Sequence, residues 1–440
     1  MKKIKVIGGG LAGPEAALQA ARAGCEVELW EMRPERKTPA HETGDFAELV
    51  CSNSLKSESE NTAPWLLKQE MRRAGSVVLA CADASAVPAG HALAVDRVEF
   101  SRRVEEAVAG ESRITVRREE VTRIDESDES VITILASGPL TSDALAGELG
   151  RLTGAEHLAF YDSISPIVEA SSIDMERVYY KARWDKGTAD YINCPFTREE
   201  YEAFLDALIS AENVESKEWE KLQYFEGCLP IEETARRGRE TLRFGPMKPV
   251  GLMDPRNGKV PWAVVQLRQE NLRADSYNLV GFQNHLKFGE QARVLRMIPG
   301  LEKAVFLRYG QIHRNTYINA PTLLEESLQL KGHPRVMVAG QLSGVEGYTE
   351  SIASGLLAGR YASQIAKGEA VRVAPRGCAL GALTHYICHA EAKRFQPANI
   401  TFDLLLPLEV EERKRIRDKK ERHKLQCERA LGVFAEWVNA

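Results

Sequence analysis

Apolar and polar residues at the start of the chain follow the order strand, helix, strand. Lys3–Ile7 predicts a short strand, and a glycine-rich turn follows it at once. A helix is predicted for Pro14–Ala23, because proline suits a first helical turn and Gly24 suits a helix end. Glu26–Glu31 alternates acidic and apolar residues, which predicts a second strand. This order is typical of the first βαβ unit of a parallel sheet.

Later parts of the chain are interpreted in the same way. The segment 33–60 is rich in Ser, Thr, Asn and Glu and is predicted to be a loop, whereas the charged segment 408–437 is predicted to be one long helix. Thr141 or Ser142 is expected to cap a helix. The other predicted elements are the strands 113–123, 130–135 and 336–339 and the helices 64–75, 96–109, 141–149 and 349–365.

Length and composition limit the class of protein. A chain of 440 residues can hold two or three domains, and no apolar run approaches the length of a membrane span. The start is too short and too soon followed by Gly8 for a signal peptide. Eight cysteines without framework spacing indicate reduced thiols, so a cytoplasmic location is expected. A net charge of −5 gives no general attraction to nucleic acid, so an RNA partner requires a local basic patch.

The turn Gly8–Gly13 carries a dinucleotide-binding pattern. Gly8 allows the tight turn, Gly10 lets the backbone approach a pyrophosphate, and Gly13 lets helix and strand pack closely. The helix that follows presents free N–H groups to phosphates. Glu31 closes the second strand about twenty residues on, where an acid accepts a hydrogen bond from ribose.

A second glycine-rich turn between a strand and a helix, at 339–348, favours tightly bound FAD over exchangeable NAD. The Ala136–Gly138 turn is expected where the second half of the sheet meets the cofactor. The alternative for the late turn is simple packing of a helix on a strand. The predicted cofactor-binding residues are Gly8, Gly9, Gly10, Leu11, Ala12, Gly13, Glu31, Met32, Arg33, Ala136, Ser137, Gly138, Gly340, Gln341, Gly347 and Tyr348.

These patterns predict an α/β protein with a discontinuous, Rossmann-like FAD-binding domain. The βαβ rhythm is lost in the middle of the chain, where aromatic residues, prolines and short alternating runs replace it. The FAD-binding domain is therefore assigned to 1–165 and 325–440 and ends in a helical tail, and 166–324 is assigned to an inserted α+β domain.

Two cysteines stand in polar, turn-like surroundings. Cys51 is flanked by serine and asparagine, and Cys228 follows a glycine and shortly precedes Pro230. Thiolates are strong nucleophiles, so both are candidate catalytic residues. Cys25, Cys81, Cys194 and Cys427 are interpreted as ordinary buried residues. No metal site is expected, since the spacing of Cys378, His385, Cys388 and His389 fits no zinc pattern.

Six stretches resemble the folate- and flavin-dependent tRNA uracil-5 methyltransferases. They are Gly8–Glu15, Glu48–Glu58 (ELVCSNSLKSE), Phe225–Glu232 (FEGCLPIE), Thr241–Leu252 (TLRFGPMKPVGL), Gln311–Pro321 (QIHRNTYINAP) and Ala339–Gly355 (AGQLSGVEGYTESIASG). A similar flavoprotein family adds carboxymethylaminomethyl groups to wobble uridines in tRNA. That family has a much longer helical C-terminal part, so a chain of 440 residues favours the methyltransferase.

The resemblance implies a reaction. Methylenetetrahydrofolate gives a one-carbon unit, NAD(P)H gives electrons, FAD links the two, and the product is 5-methyluridine at position 54 of the T-loop of tRNA. A thiolate adds to C6 of uracil so that C5 becomes nucleophilic, and a second group removes the proton from C5. Cys51 and Cys228 are expected to take these two roles, and the sequence leaves open which cysteine takes which.

Substrate contacts are predicted around these residues. Tyr348 is suited to pack on a pterin or flavin ring and Glu346 to hold the pterin amino group. The other folate candidates are His313, Arg314 and Asn315. These residues are equally compatible with a purely structural role. The predicted tRNA phosphate contacts are Arg236, Arg237 and Lys248, together with Arg239 and Arg243. The run 413–424 also carries acids and is interpreted as a solvated helix face.

Two other kinds of protein are weighed against this interpretation. A flavin disulfide reductase needs a CxxC or CxxxxC pair, and the chain has neither. The second alternative is an RNA-binding protein without catalysis that FAD only stabilises. In that case, replacement of Cys51 and Cys228 should leave RNA binding intact.

Overall fold

The structure is a computed structural model, which describes residues 2–38, 40–154, 158–163, 165–214, 229–310 and 312–439. Of 158–163 and 312–314 it describes the backbone alone. The strands are β1 Lys3–Ile7, β2 Val27–Glu31, β3 Ser54–Ser57, β4 Ala86–Val87, β5 Ala92–Val95, β6 Ile114–Arg118, β7 Val131–Leu135, β8 Leu158–Ser163, β9 Ile167–Glu169, β10 Tyr179–Tyr180, β11 Ile192–Phe196, β12 Ala263–Gln269, β13 Ser276–Leu279, β14 Phe306–Arg308, β15 Ile312–Tyr317, β16 Gln329–Leu330 and β17 His333–Val338.

The helices are α1 Ala12–Arg22, α2 Ala63–Arg73, α3 Val77–Ala84, α4 Arg97–Ala109, α5 Asp143–Thr153, α6 Arg198–Ser210, α7 Ile231–Arg236, α8 Thr241–Phe244, α9 Phe288–Leu295, α10 Ala320–Leu323, α11 Tyr348–Lys367, α12 Ala379–His389, α13 Val410–Arg415 and α14 Lys419–Asn439. None of the helices in the described part of the chain is long and apolar enough to cross a membrane.

The first sheet has the strand order β16-β17-β7-β1-β2-β6, and four of its five pairings are parallel. Only β16 joins it in the antiparallel sense. Its central strands are rich in β-branched residues and buried, as expected for a parallel sheet covered by helices. The carboxyl ends of β1, β2, β7 and β17 therefore meet at one edge. This Rossmann-like arrangement confirms the predicted fold class.

Helices α1 and α11 pack on this sheet with their backbones in close contact. A Cβ at Gly355 would overlap the carbonyl oxygen of Ala12, and a Cβ at Gly359 would overlap that of Ala16. Small residues on both helices therefore permit the approach. The contact holds the N-terminal end of α11, where the late glycine turn lies, beside the Gly8–Gly13 turn.

The second sheet is antiparallel, with the order β10-β11-β12-β13-β9-β14. Its strands lie within 167–308, whereas those of the first sheet lie within 3–135 and 329–338. Its core side chains pack against Tyr201, Phe204 and Leu208 of α6. Strands β8 and β15 form a separate antiparallel pair. The domain boundaries drawn from the sequence stay a prediction.

The structure differs from the predicted elements in three places. The strand predicted for 113–123 ends already at Arg118. The segment 33–60, predicted to be a loop, contains β3, which pairs with β5. The predicted long C-terminal helix is two helices, because Ile416 is extended and the Asp418 carboxylate accepts a hydrogen bond from the backbone N–H of Lys420 at 3.1 Å. Ser142, one of the two predicted caps, does cap α5 by accepting from the N–H of Leu145.

Candidate functional site

A deep cleft opens at the carboxyl edge of the first sheet, between the strand ends and the loop around Cys51. Ligands of open parallel sheets bind at this edge. The predicted residues that line the cleft are Gly8, Gly10, Leu11, Ala12, Glu31, Met32, Arg33, Cys51, Ala136, Ser137, Gly138, Asn315, Gly340, Gln341, Glu346, Gly347 and Tyr348. Residues that the sequence places far apart thus share one cavity.

The glycines of the N-terminal turn are required for different reasons. Gly8 has a φ of +115°, and a Cβ there would overlap the carbonyl oxygen of Ala136. A Cβ at Gly13 would overlap the carbonyl oxygen of Gly8. Gly10 lines the cleft, and a Cβ there would meet nothing within 4 Å. Contacts within the protein therefore explain Gly8 and Gly13, but the space in front of Gly10 is left clear.

Glu31 braces the turn from the end of β2. One of its carboxylate oxygens accepts from the Gly9 N–H at 2.6 Å, and the other accepts from the backbone N–H and the Nε of Arg33, both at 2.9 Å. Burial opposes ionisation of Glu31, but the charge and hydrogen bonds of Arg33 outweigh it and lower its pKa. Arg33 is itself buried and also reaches Glu48 at 3.1 Å. Glu31 is thus held as an anion beside the turn.

Tyr348 joins the late glycine turn to the loop of Cys51. Its hydroxyl oxygen accepts hydrogen bonds from the backbone N–H groups of Cys51, at 2.8 Å, and Ser52, at 3.2 Å. Burial, with the nearby Cys51, raises the pKa of Tyr348, so the phenol stays neutral. Half-buried Cys51 is therefore positioned by a residue nearly three hundred positions away.

Arginines surround the loop of Cys51. Arg268 is buried on β12 and donates to the Ser52 hydroxyl at 2.7 Å and to the Asn53 side-chain oxygen at 2.9 Å. Arg97 donates to Glu270 at 2.6 Å and also to the Leu49 carbonyl. These contacts tie the second sheet to the thiol loop.

Arg97 and a further arginine, Arg308 at the end of β14, interact electrostatically with the Cys51 thiol. Burial and the neighbouring Arg97 lower the pKa of Arg308, and Cys51 is among the groups that oppose this shift. Burial also opposes the charge of Arg97, but Glu270 outweighs it and raises the pKa of Arg97, with a smaller contribution from Cys51. Sequence reasoning missed Arg97, Arg268 and Arg308. The one available signal was a charged residue inside the apolar strand β12.

Lys56, which the sequence places near Cys51, completes the far end of the cleft. Its ammonium group donates to Glu350 at 2.6 Å and to the Asn399 side chain at 2.5 Å. Gly347 has a φ of +107°, and a Cβ there would lie 2.6 Å from the Lys56 nitrogen. The neighbouring Glu346 accepts from the Gln341 amide at 2.7 Å. The late glycine turn therefore leaves room for a buried ion pair as well as for the cleft.

The other predicted site residues lie away from the cleft or outside the residues that the structure describes. Cys228 lies outside the described residues, as do the side chains of His313 and Arg314 on β15. Gly9 and Gly13 shape the turn without lining the cleft. Arg236, Arg237 and Lys248 are exposed and do not line the cleft. Among them, Arg236 forms an ion pair with Glu233.

The remaining cysteines and histidines fall into two groups. Cys25, Cys81, Cys194 and Cys427 are buried, as predicted. Cys378 caps α12 and Cys388 is buried, whereas His385 and His389 both contact one oxygen of Glu326, at 2.8 Å and 3.0 Å. Within the described ranges, these two histidines and Glu326 are the group whose ligand atoms lie close enough together for a metal ion. Glu326 was not considered from the sequence.

The parallel sheet, the glycine turn and the cleft at its carboxyl edge define a Rossmann-like dinucleotide-binding protein. Within that class the chain belongs to the family described as glucose inhibited division protein A, whose model matches residues 3–370. A solved structure of Aquifex aeolicus GidA has a TM-score of 0.72 and 16% identity, and the match covers 100% of this chain and 74% of that one. That likeness shows the fold.

Sequence relatives are more specific. The chain is 67% identical to the methylenetetrahydrofolate–tRNA-(uracil-5-)-methyltransferase TrmFO of Koribacter versatilis, over 99% of this chain and 98% of the relative. It is 60% identical to the protein of the same name from Solibacter usitatus, over 100% and 99% of the two chains. Identity to the Enterococcus faecalis protein of that name is 53%, over 100% and 99%. The family resemblance inferred from the motifs is confirmed.

Proposed function

We propose that this protein is a folate-dependent tRNA uracil-5 methyltransferase that uses FAD and NAD(P)H and forms 5-methyluridine at position 54 of the T-loop. The observation that carries the proposal is the position of Cys51. This cysteine lines the dinucleotide cleft, its backbone N–H is hydrogen-bonded to Tyr348, and arginines lie near it. The names of relatives at 53–67% identity support the same reaction. We expect the enzyme to act in the cytoplasm.

The cleft fits FAD. The clear space in front of Gly10 is what close approach of a pyrophosphate requires, and the first turn of α1 directs N–H groups toward it. Gly340 and Gly347 line the same cleft, and both have a positive φ, +72° and +107°, that favours glycine. When bound, FAD would supply reducing equivalents taken from NAD(P)H. We assign Glu31 to the ribose side of this cofactor.

The thiol chemistry is assigned to Cys51 and Cys228. Cysteines attack as thiolates, and Arg97 and Arg308 are cations that interact electrostatically with Cys51. One thiolate forms a bond to C6 of uracil, which places the electron pair on C5 for attack on the one-carbon unit. The other accepts the proton released from C5, and the bond between the one-carbon unit and its folate carrier breaks. Two electrons and a proton, which FAD reduced by NAD(P)H would supply, turn the methylene into the methyl group as the S–C6 bond breaks. Which cysteine takes which role stays open.

Folate is assigned to the space between Tyr348 and the Gln341–Glu346 pair. Glu346 is buried, lines the cleft and has an oriented carboxylate, which suits the donor groups of a pterin. Asn315 is buried on the same wall. His313 and Arg314, next to it on β15, are kept as candidates for the glutamate tail of folate. Arg236, Arg237 and Lys248 are assigned to tRNA phosphates.

The deciding assay supplies tRNA that lacks T-loop methylation, methylenetetrahydrofolate and NAD(P)H. Nuclease digestion and mass spectrometry should then detect 5-methyluridine, and omission of the folate should abolish it. Formation of carboxymethylaminomethyl-uridine instead would support the related wobble-uridine enzyme. Absence of any modified uridine in the presence of FAD-loaded protein would overturn the proposal.

A further inference from the structure

Trp184 has an unusual backbone and an exposed ring. Its φ and ψ are 62° and 23°, a left-handed conformation that is a true outlier for a bulky residue. The residue is 60% exposed although hydrogen bonds hold the segment around it, such as that from the Trp184 N–H to the Gly251 carbonyl at 2.8 Å. Strained residues that the surrounding structure holds in place are concentrated at functional sites.

Gly251 lies directly against the indole ring of Trp184. Its φ is +83°, and a Cβ there would lie 2.8 Å from the ring of Trp184. One side of the ring therefore packs directly on backbone, while most of its surface faces solvent. A flat aromatic ring that is supported on one side and open on the other is the arrangement on which unpaired nucleobases stack.

The surroundings of Trp184 are cationic. Arg183 donates to the carbonyl oxygens of Val250 and Lys248 and to the side-chain oxygen of Gln266, at 3.0 Å and 3.2 Å for the last two. Across the described part of the chain, no carboxylate forms an ion pair with Arg183. The two segments that meet here, 181–187 and 243–259, together carry seven basic and two acidic residues in a protein whose net charge is −5.

Strand β12 connects this surface to the thiol loop. Gln266, which contacts Arg183, and Arg268, which contacts Ser52, are two residues apart on β12. Their side chains therefore leave the same face of the sheet, about 7 Å apart along the strand. The loop of Trp184 and the loop of Cys51 are thus anchored at neighbouring positions of one face.

We propose that Trp184 stacks against an unpaired base of the tRNA that flanks the target uridine, while the surrounding cations contact the backbone. The proposal rests on the proposed function, since it requires the uridine to reach Cys51. RNA is favoured over a protein partner because an unneutralised arginine and a basic surface suit phosphates. Trp184 is a positioning residue and takes no part in bond formation.

The test measures RNA binding separately from methylation. A T-arm hairpin RNA is titrated into FAD-loaded wild-type protein, Trp184→Ala, Trp184→Tyr and the control Trp437→Phe, whose tryptophan lies on α14. Trp184→Ala should weaken binding about 10-fold, since one base stack has roughly that effect. Trp184→Tyr should stay within about threefold, because it keeps an aromatic ring.

Spectroscopy and kinetics give independent readouts. RNA should quench the fluorescence of wild type and Trp437→Phe, and the quench should shrink in both Trp184 variants. In methylation, Trp184→Ala should raise KM for RNA and leave kcat and the RNA-free oxidation of NAD(P)H near wild type. Wild-type RNA affinity in Trp184→Ala, or an unchanged quench, overturns the proposal. If wild type binds RNA but forms no 5-methyluridine, the proposed function fails while the binding comparison still decides the role of Trp184.

Discussion

The two ends of the cleft are built differently. The nucleotide end consists of backbone and of residues close together in sequence, from Gly8 to the Glu31–Arg33 pair. The thiol end depends on side chains brought from distant elements, with Tyr348 and Arg268 both bonded to the loop that follows Cys51. A local motif is thus enough to form a phosphate cradle, whereas the environment of the thiol requires both sheets to be assembled.

The largest expected effect is at the thiol end. Cys51→Ala should lower methyl transfer at least about 100-fold, the usual loss when a group that transfers a proton or attacks the substrate is removed. FAD content and thermal stability should change little, since the side chain is small and half-buried. Cys25→Ala is the matched control, a buried cysteine outside the cleft, and should remain active.

Cys228→Ala is expected to behave like Cys51→Ala. tRNA that contains 5-fluorouridine should trap a covalent adduct, because fluorine blocks proton removal at C5, and peptide mapping should find it on one of these two cysteines. Full activity of both variants, or an adduct on another residue, would contradict the thiol mechanism.

A pair of glycine substitutions tests the nucleotide end. Gly10→Val should give a folded but colourless protein, because its side chain enters only the space reserved for the cofactor. Gly13→Ala should instead destabilise the fold by roughly 1–3 kcal/mol or more, since its Cβ overlaps the Gly8 carbonyl. Absorbance of bound FAD and thermal unfolding separate the two outcomes. If Gly10→Val retains stoichiometric FAD, the proposed position of the cofactor in front of Gly10 is wrong.

Tyr348→Phe tests the link between the two ends. The substitution keeps the ring and removes the oxygen that accepts from the N–H groups of Cys51 and Ser52. Unsatisfied donors of this kind cost about 1–3 kcal/mol, which corresponds to roughly a 10-fold loss of methyl transfer if the loop shifts. FAD affinity, measured by equilibrium dialysis, should fall much less. An equal fall in FAD affinity would mean that Tyr348 acts on the cofactor rather than on the thiol loop.

The smallest effect concerns acid sensitivity. Arg33 lowers the pKa of Glu31 against the effect of burial, so the folded state binds this proton less readily than the unfolded state does. The stabilisation is therefore present above the ordinary value of 4.5 and is lost as the pH falls through the lower folded-state pKa. Urea unfolding between pH 7 and pH 3 should show a smaller loss for Glu31→Gln than for wild type. Parallel curves would contradict this assignment.

Most elements of the first sheet were predictable because their patterns are local. The strand, turn, helix and strand of the first unit agree with β1, α1 and β2 within about two residues. Strand β3 was missed because Ser54–Ser57 is short and polar and exists only by pairing with β5. The break before α14 depends on a side-chain cap at Asp418, which helical spacing alone does not reveal.

The sequence by itself determined the nucleotide turn, the fold class and the family, because these depend on residue types at short, regular separations. Only the tertiary structure decided that Arg97, Arg268 and Arg308 lie around the loop of Cys51 and that Lys56 pairs with Glu350. It also decided that Arg183, next to Trp184, contacts the same strand as the thiol loop does. Such contacts join residues up to about three hundred positions apart. A local sequence pattern does not predict these contacts, because they form and stabilise the protein only when the two sheets pack together.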